Sequence, residues 1–204
     1  MISNNLDFIG FILLSYMIGS ISGSILLGKI WKIDIRNMGS GSAGGTNALR
    51  EVGKTFALFT VLIDISKGIL AIYLVQGMNN STLTFFCGIA VAIGHILPIF
   101  HNFKGGKGAG TLLGVLIYIY PESITYILFA WIITLVFSGY VGLSTIIAAF
   151  SLLLYSIISF QELSIVFFSG AIVILIILSH IKNIKRMIDG NENQFEKIML
   201  FRRK

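Results

Sequence analysis

The chain has 204 residues, 55% of them hydrophobic and 12% charged, with a formal net charge of +6 and a mean hydropathy of +0.89. A soluble globular domain carries about twice that charged fraction, so a soluble enzyme is excluded. The apolar runs are continuous rather than alternating, which argues against a porin-like barrel, and the single cysteine, Cys87, leaves no intramolecular disulfide.

In chain order, the N-terminal MISNNLDF lacks the basic segment of a signal peptide, so the first apolar stretch is expected to be retained. Seven apolar segments follow, at about 7–30, 55–76, 82–101, 107–120, 123–138, 142–160 and 163–181. The fourth and fifth are short and separated only by Pro121 and Glu122, so length alone leaves short spans, tilted spans or a re-entrant pair open.

Charge parity favours seven spans. Lys29, Lys32, Arg36, Arg50 and Lys54 lie at the first connection, and Lys104 and Lys107 at the third. Lys182, Lys185, Arg186, Lys197, Arg202, Arg203 and Lys204 form the tail. Fourteen of the fifteen cations therefore fall on one side, while Asp7, Glu122 and Glu162 fall on the other. The positive-inside rule places the N-terminus outside and the tail in the cytoplasm. The expected fold is all-α: a polytopic membrane protein of seven transmembrane helices with short cytoplasmic glycine-rich loops, residues 1–204 forming one domain. The exception, Lys67, stands three residues after Asp64 inside the second span. That spacing puts both on one helix face, where they pair to lock helix packing or touch substrate.

The first connection contains GSGSAG, Gly39 to Gly44, which formally fits a dinucleotide fingerprint. Such a fingerprint needs a preceding strand and a βαβ unit; a membrane span precedes this one. The local physics still suits an anion: small residues let amides converge, Ser40, Ser42 and Thr46 add hydroxyls, and Arg36 and Arg50 bracket the loop. The plain alternative, a flexible Gly-Ser loop, leaves the bracketing cations and the following Asn47 unexplained. The third connection, GHILPIFHNFKGGKGAGT from Gly94 to Thr111, sets Lys104 and Lys107 in a second glycine-rich turn that is not a Walker A loop. Two such turns on one face suggest two phosphates, or one phosphate gripped from two sides. His95 and His101 lack a Cys or carboxylate cluster, so no metal is expected. In SGYVGLST, Ser138 to Thr145, the hydroxyls of Tyr140, Ser144 and Thr145 suit helix caps. In the tail, His180, Asn183 and Arg186 recur at helical spacing, and the remaining tail cations suit lipid headgroups.

Four blocks, Gly19 to Arg50, DISKG from Asp64 to Gly68, Gly94 to Thr111, and HIKNIKRMIDGNE from His180 to Glu192, together with the weaker GYVGLST, resemble the bacterial acyl-phosphate-dependent glycerol-3-phosphate acyltransferase family. The resemblance implies a seven-span inner-membrane enzyme with a cytoplasmic active site. It would move a fatty acyl group from acyl phosphate to the 1-hydroxyl of glycerol 3-phosphate, giving lysophosphatidic acid and phosphate. By motif position it implies catalytic roles for Ser40, Arg50, Lys107, Thr145, His180 and Asn183. Substrate-binding roles are expected for Gly39, Gly41, Thr46, Asn47, Lys104, Gly105 and Gly106. No cofactor, metal or nucleic acid is expected; the partners are the two substrates and the bilayer.

The chain departs from the family pattern at Ser22, where proline is usual, at Ser42, where asparagine is usual, and at Gly45, which replaces an alanine. Gly142 replaces a serine, and Thr145 occupies a serine's place. The resemblance implies direct attack of the glycerol hydroxyl on the acyl carbonyl, with His180 or a substrate phosphate taking the proton. No H-x-x-x-x-D follows any histidine, so acyltransferases built on that dyad do not fit. Two rivals differ in class. A transporter of phosphorylated solutes would also use glycine-rich half-helix ends, but would want polar residues deeper in the membrane; a structural subunit would leave two phosphate-type loops unexplained.

Overall fold

The computed structural model describes residues 5–159, 162–196 and 199–200, and the helices gather into two compact units that divide between Ile119 and Tyr120. Lys197, Arg202, Arg203 and Lys204 of the basic tail lie outside the described residues. Among the described residues all regular structure is helical.

The first unit holds α1 (Asn5–Gly19), α2 (Gly23–Trp31), α3 (Gly45–Glu51), α4 (Lys54–Tyr73), α5 (Ser81–Ile96) and α6 (Ala109–Ile119). Its packing is set by small residues that let helices meet backbone to backbone, as membrane helices do when no hydrophobic drive separates them from lipid. Between α1 and α5, a side chain at Gly19 would run into the Val91 carbonyl, and one at Gly94 into the Tyr16 carbonyl. Between α4 and α6, Gly68 sits against the Thr111 carbonyl and Gly114 against that of Ile65. These are the two most extensive helix pairings of the unit.

The first apolar segment is broken. α1 and α2 together run from Leu6 to Trp31, but the chain leaves helical form at Ser20–Ser22. Irregular backbone at membrane depth is tolerated only where the protein satisfies its polar groups. Here the Lys67 ammonium does so, donating to the carbonyls of Gly19 at 2.9 Å and Ile21 at 2.8 Å.

The second unit holds α7 (Ser123–Ser138), α8 (Val141–Ile158), α9 (Leu163–Ser179) and α10 (Ile181–Ile188). α7 ends at Gly139, whose φ of +71° turns the chain into α8. α9 and α10 meet at a bend of 57° centred on His180. The strand of chain after α10 returns to that α7–α8 turn: Phe195 N–H donates to the Gly139 carbonyl at 2.9 Å and Gln194 Nε2 to that of Ser138 at 3.1 Å.

Helices fall where seven apolar segments were expected. By length and composition, however, four are long and apolar enough to cross a membrane, or five if the bent pair α9–α10 is one span. The difference lies in α6 and α7. At 1.5 Å per residue the 11-residue α6 reaches about 17 Å and the 16-residue α7 about 24 Å, against a hydrocarbon core of about 30 Å.

Candidate active site

The first glycine-rich loop is built around one side chain. Asn47, buried in the first turn of α3, donates from Nδ2 to the carbonyls of Ser42 at 3.1 Å, Met38 at 3.0 Å and Ile35 at 3.2 Å. Its Oδ1 accepts the Ser40 N–H at 3.0 Å. Three carbonyls on one side and an N–H on the other settle which end of the amide is nitrogen. Gly39, at φ +52°, lies so close to Asn47 and Glu51 that a side chain there would collide with both. Upstream, Asp34 caps the turn Ile35–Asn37. Its carboxylate accepts from Arg36 N at 3.0 Å, Nε at 2.9 Å and Nη2 at 2.8 Å, and these bonds hold the carboxyl below its usual range and push the guanidinium further up.

The loop amides are partly committed to the protein itself: Ser40 N–H to Asn47, Gly41 N–H to the Met38 carbonyl, Ala43 N–H to the Gly105 carbonyl at 3.1 Å. Side chains rather than these amides therefore face outward. Ser40 and Lys104 are exposed; Ser42, Thr46, Arg50 and Lys107 are half-buried.

The Ala43–Gly105 bond joins the two glycine-rich loops into one structure. Gly106 N–H continues the seam by donating to the His95 carbonyl at 3.1 Å. Lys107 follows immediately and leads into α6. Of the expected residues in the first unit, Gly39, Ser40, Gly41, Thr46, Asn47 and Arg50 thus stand on one loop and its short helix, and Lys104 to Lys107 on the loop bonded to it.

Asp64 and Lys67 pair, with Oδ1 to Nζ at 3.2 Å, and both are buried. His95 joins them, its Nδ1 2.8 Å from Lys67 Nζ and 3.3 Å from Asp64 Oδ1. The Asp64 oxygen has no well-aligned hydrogen bond, so its contact with the Lys67 ammonium is an electrostatic pairing. Of the two readings for Lys67, helix locking has the support of its bonds to the α1 break.

In the second unit, His180 stands at the α9–α10 bend with Nδ1 2.9 Å from the Ile176 carbonyl. A carbonyl only accepts, so the hydrogen is on Nδ1 and the basic lone pair on Nε2. Asn183 is buried on the first turn of α10 and donates from Nδ2 to Glu192 Oε1 at 2.8 Å, while Arg186 Nε donates to Glu192 Oε2. Glu192 was not singled out in the sequence; a carboxylate placed to bind two residues of a basic helix was the available signal. The Asn183 Oδ1 is buried without a hydrogen-bond partner. Gly142 explains its own identity, since a Cβ there would lie 3.1 Å from Asn183 Cβ. The Thr145 hydroxyl donates to the Val141 carbonyl at 2.9 Å and accepts from Trp131 Nε1 at 3.3 Å.

Comparison with known proteins bears on these features. A family model described as glycerol-3-phosphate acyltransferase matches residues 9–190. A glycerol-3-phosphate acyltransferase of Finegoldia magna is 41% identical over 89% of this chain and 93% of its own. Glycerol-3-phosphate acyltransferase 2 of Bacillus anthracis is 38% identical over 90% and 96%. Among solved structures, the glycerol 3-phosphate form of PlsY (YgiH), an integral membrane glycerol 3-phosphate acyltransferase, superposes with a TM-score of 0.86 at 32% identity, over 93% of this chain and 96% of the other. The lysophosphatidic acid form gives 0.84 at 31% identity, over 93% and 95%.

Proposed function

The chain belongs to the glycerol-3-phosphate acyltransferase family of integral membrane enzymes, and we propose that it uses acyl phosphate as donor and acylates the 1-hydroxyl of sn-glycerol 3-phosphate, releasing lysophosphatidic acid and phosphate. The observation that carries this reading is the Ala43–Gly105 hydrogen bond, which makes one basic, hydroxyl-rich surface of two loops and suits a phosphate gripped from two sides. The ligands named for the two PlsY forms are the acceptor and product of the same reaction.

In the proposed step, the glycerol hydroxyl oxygen attacks the acyl carbonyl carbon. The new ester C–O bond forms as the acyl–oxygen bond to phosphate breaks, and phosphate departs with the electron pair, so no acyl-enzyme is needed. Arg50 and Lys107 hold phosphate groups near the carbonyl, where proximity supplies much of the rate. Gly39, Gly41, Gly105 and Gly106 contribute by shaping the substrate loops, since a side chain at Gly39 would strike Asn47 and Glu51 and one at Gly105 or Gly106 would strike His95, and Lys104 adds a cation to the loop rim. Ser40 and Thr46 donate hydroxyl hydrogen bonds to donor phosphate and to the developing oxyanion, and Asn47 contributes by shaping the loop. The proton goes to His180 Nε2 or to a substrate phosphate, with Asn183 and Thr145 as further polar groups of the reaction. The proposal keeps one catalytic domain and seven crossings, with α6 and α7 as short spans, the N-terminus outside and the tail in the cytoplasm.

The test is phosphate release by purified protein given acyl phosphate and glycerol 3-phosphate. Arg50→Ala and Lys107→Ala should each lower kcat/KM by about a hundredfold or more. Absence of turnover in the wild type refutes the reading, and counterflow of glycerol 3-phosphate in liposomes would replace it with transport.

A further inference from the structure

Asp64, Lys67 and His95 form a buried ionisable cluster that the proposed chemistry does not use. Lys67 has three N–H bonds to give. Two go to the carbonyls of Gly19 and Ile21 at the α1 break, and the third points to His95 Nδ1 at 2.8 Å. An ammonium has no lone pair, so Nδ1 accepts and the ring hydrogen is on Nε2. The ring is thereby pinned at its Nδ1 edge. Its other edge, Nε2 and Cε1, fills the space into which a Gly106 side chain would project, and the His95 carbonyl accepts the Gly106 N–H at 3.1 Å. His95 therefore grips the residue before Lys107 twice, by backbone and by ring. Through Lys67 that grip is referred to the end of α1, and through the neighbouring Gly105 it is passed to Ala43 in the Ser40 loop.

We propose that His95 is the positioning residue for Lys107: the imidazole, held at Nδ1 by Lys67, is the floor that sets the height of the second glycine-rich loop against the first. It touches no substrate. The inference rests on the proposed function in one respect, that Lys107 holds the phosphate of glycerol 3-phosphate. Its structural content is that Gly106 and His95 are a matched pair, with the missing side chain of one filled by the ring of the other.

The experiment compares wild type, Gly106→Ala, His95→Asn and the double variant. Asparagine keeps an amide oxygen for Lys67 but ends before Nε2 and Cε1, and so removes the two closest contacts of an alanine at 106, leaving the Ala43 carbonyl oxygen at 3.1 Å to give by a few tenths of an ångström. Gly106→Ala should raise KM for glycerol 3-phosphate at least about tenfold with kcat within about threefold, and His95→Asn should raise it less. The double variant should return to the His95→Asn value, a non-additive rescue expected only of residues in contact. A double variant no better than Gly106→Ala, or losses confined to kcat, overturns the proposal. If Gly106→Ala alone does not fold, recovery of a monodisperse, cooperatively melting protein in the double variant supports it, and failure to recover overturns it. If the wild type transfers no acyl group, the functional reading fails separately. Melting temperatures of the four proteins then decide the pairing, with rescue supporting it and additive loss overturning it.

Discussion

Asn47→Asp changes one nitrogen to oxygen and reverses the hydrogen-bonding sense of the end that holds the first loop together. In the native protein Nδ2 faces three carbonyl oxygens at 3.0 to 3.2 Å and Oδ1 accepts one N–H. Two amide hydrogens are shared among the three carbonyls, so truncation to alanine removes about three net hydrogen bonds. At about 1 kcal/mol each, that is roughly 3 kcal/mol of loop order, equivalent to about a hundredfold in an equilibrium constant. Aspartate keeps the bond from Ser40 but sets a carboxylate oxygen against the three carbonyls, so it must take up a proton or swing out. Both variants should therefore lose about two orders of magnitude in kcat/KM. Asn47→Asp should recover in part as pH falls, because the protonated acid regains one donor. The assay is steady-state phosphate release across pH, with thermal melting to confirm that the helices stay folded. An aspartate variant within about threefold of wild type at neutral pH would refute the view that Asn47 organises the loop.

Three further outcomes are expected. Lys67→Met strands a buried carboxylate and two backbone carbonyls and should cost about 3–5 kcal/mol of stability, much of it returned in Lys67→Met/Asp64→Asn, as read by thermal melting in detergent. Asp34 is held below its ordinary value of 3.8 by hydrogen bonds from Arg36. Because the folded pKa is the lower one, the pair's contribution is complete above the unfolded pKa and is lost as pH falls through the folded value. The difference in melting temperature between wild type and Asp34→Asn should thus be constant over roughly pH 5 to 8 and shrink below about pH 4, and a half-exposed pair should be worth under about 1 kcal/mol. Gly142→Ser should cost about 1–3 kcal/mol of stability and lower turnover, because a Cβ at 142 meets Asn183 Cβ, Nδ2 and Cγ at 3.1 to 3.3 Å and presses that buried side chain away from its bond to Glu192. A variant that melts with the wild type and keeps turnover within about threefold would count against that geometry.

Local chemistry made much of this protein legible before folding. Continuous apolar runs of helical length name a membrane protein because each span must satisfy its own backbone, and the α-helices fall on those runs. Glycines and cations named the two loops, since flexible backbone beside charge is a property of adjacent residues. What neighbours in sequence cannot show is which distant group completes a polar side chain. Asn47 read as a phosphate ligand because its type and place allowed it, and only the folded loop shows both ends of its amide turned to backbone. Lys67 read as one half of an ion pair because Asp64 is three residues away; its stronger bonds go to carbonyls 46 and 48 residues distant, at a break in α1. His95, weighed as a metal ligand, lies with them because α4 and α5 bring it there. The class, the helices and the chemistry of the loops follow from residues close together along the chain. That the loops are one surface, with a buried charge cluster beneath it, follows from packing, because hydrogen bonds between distant segments exist only once the helices have packed.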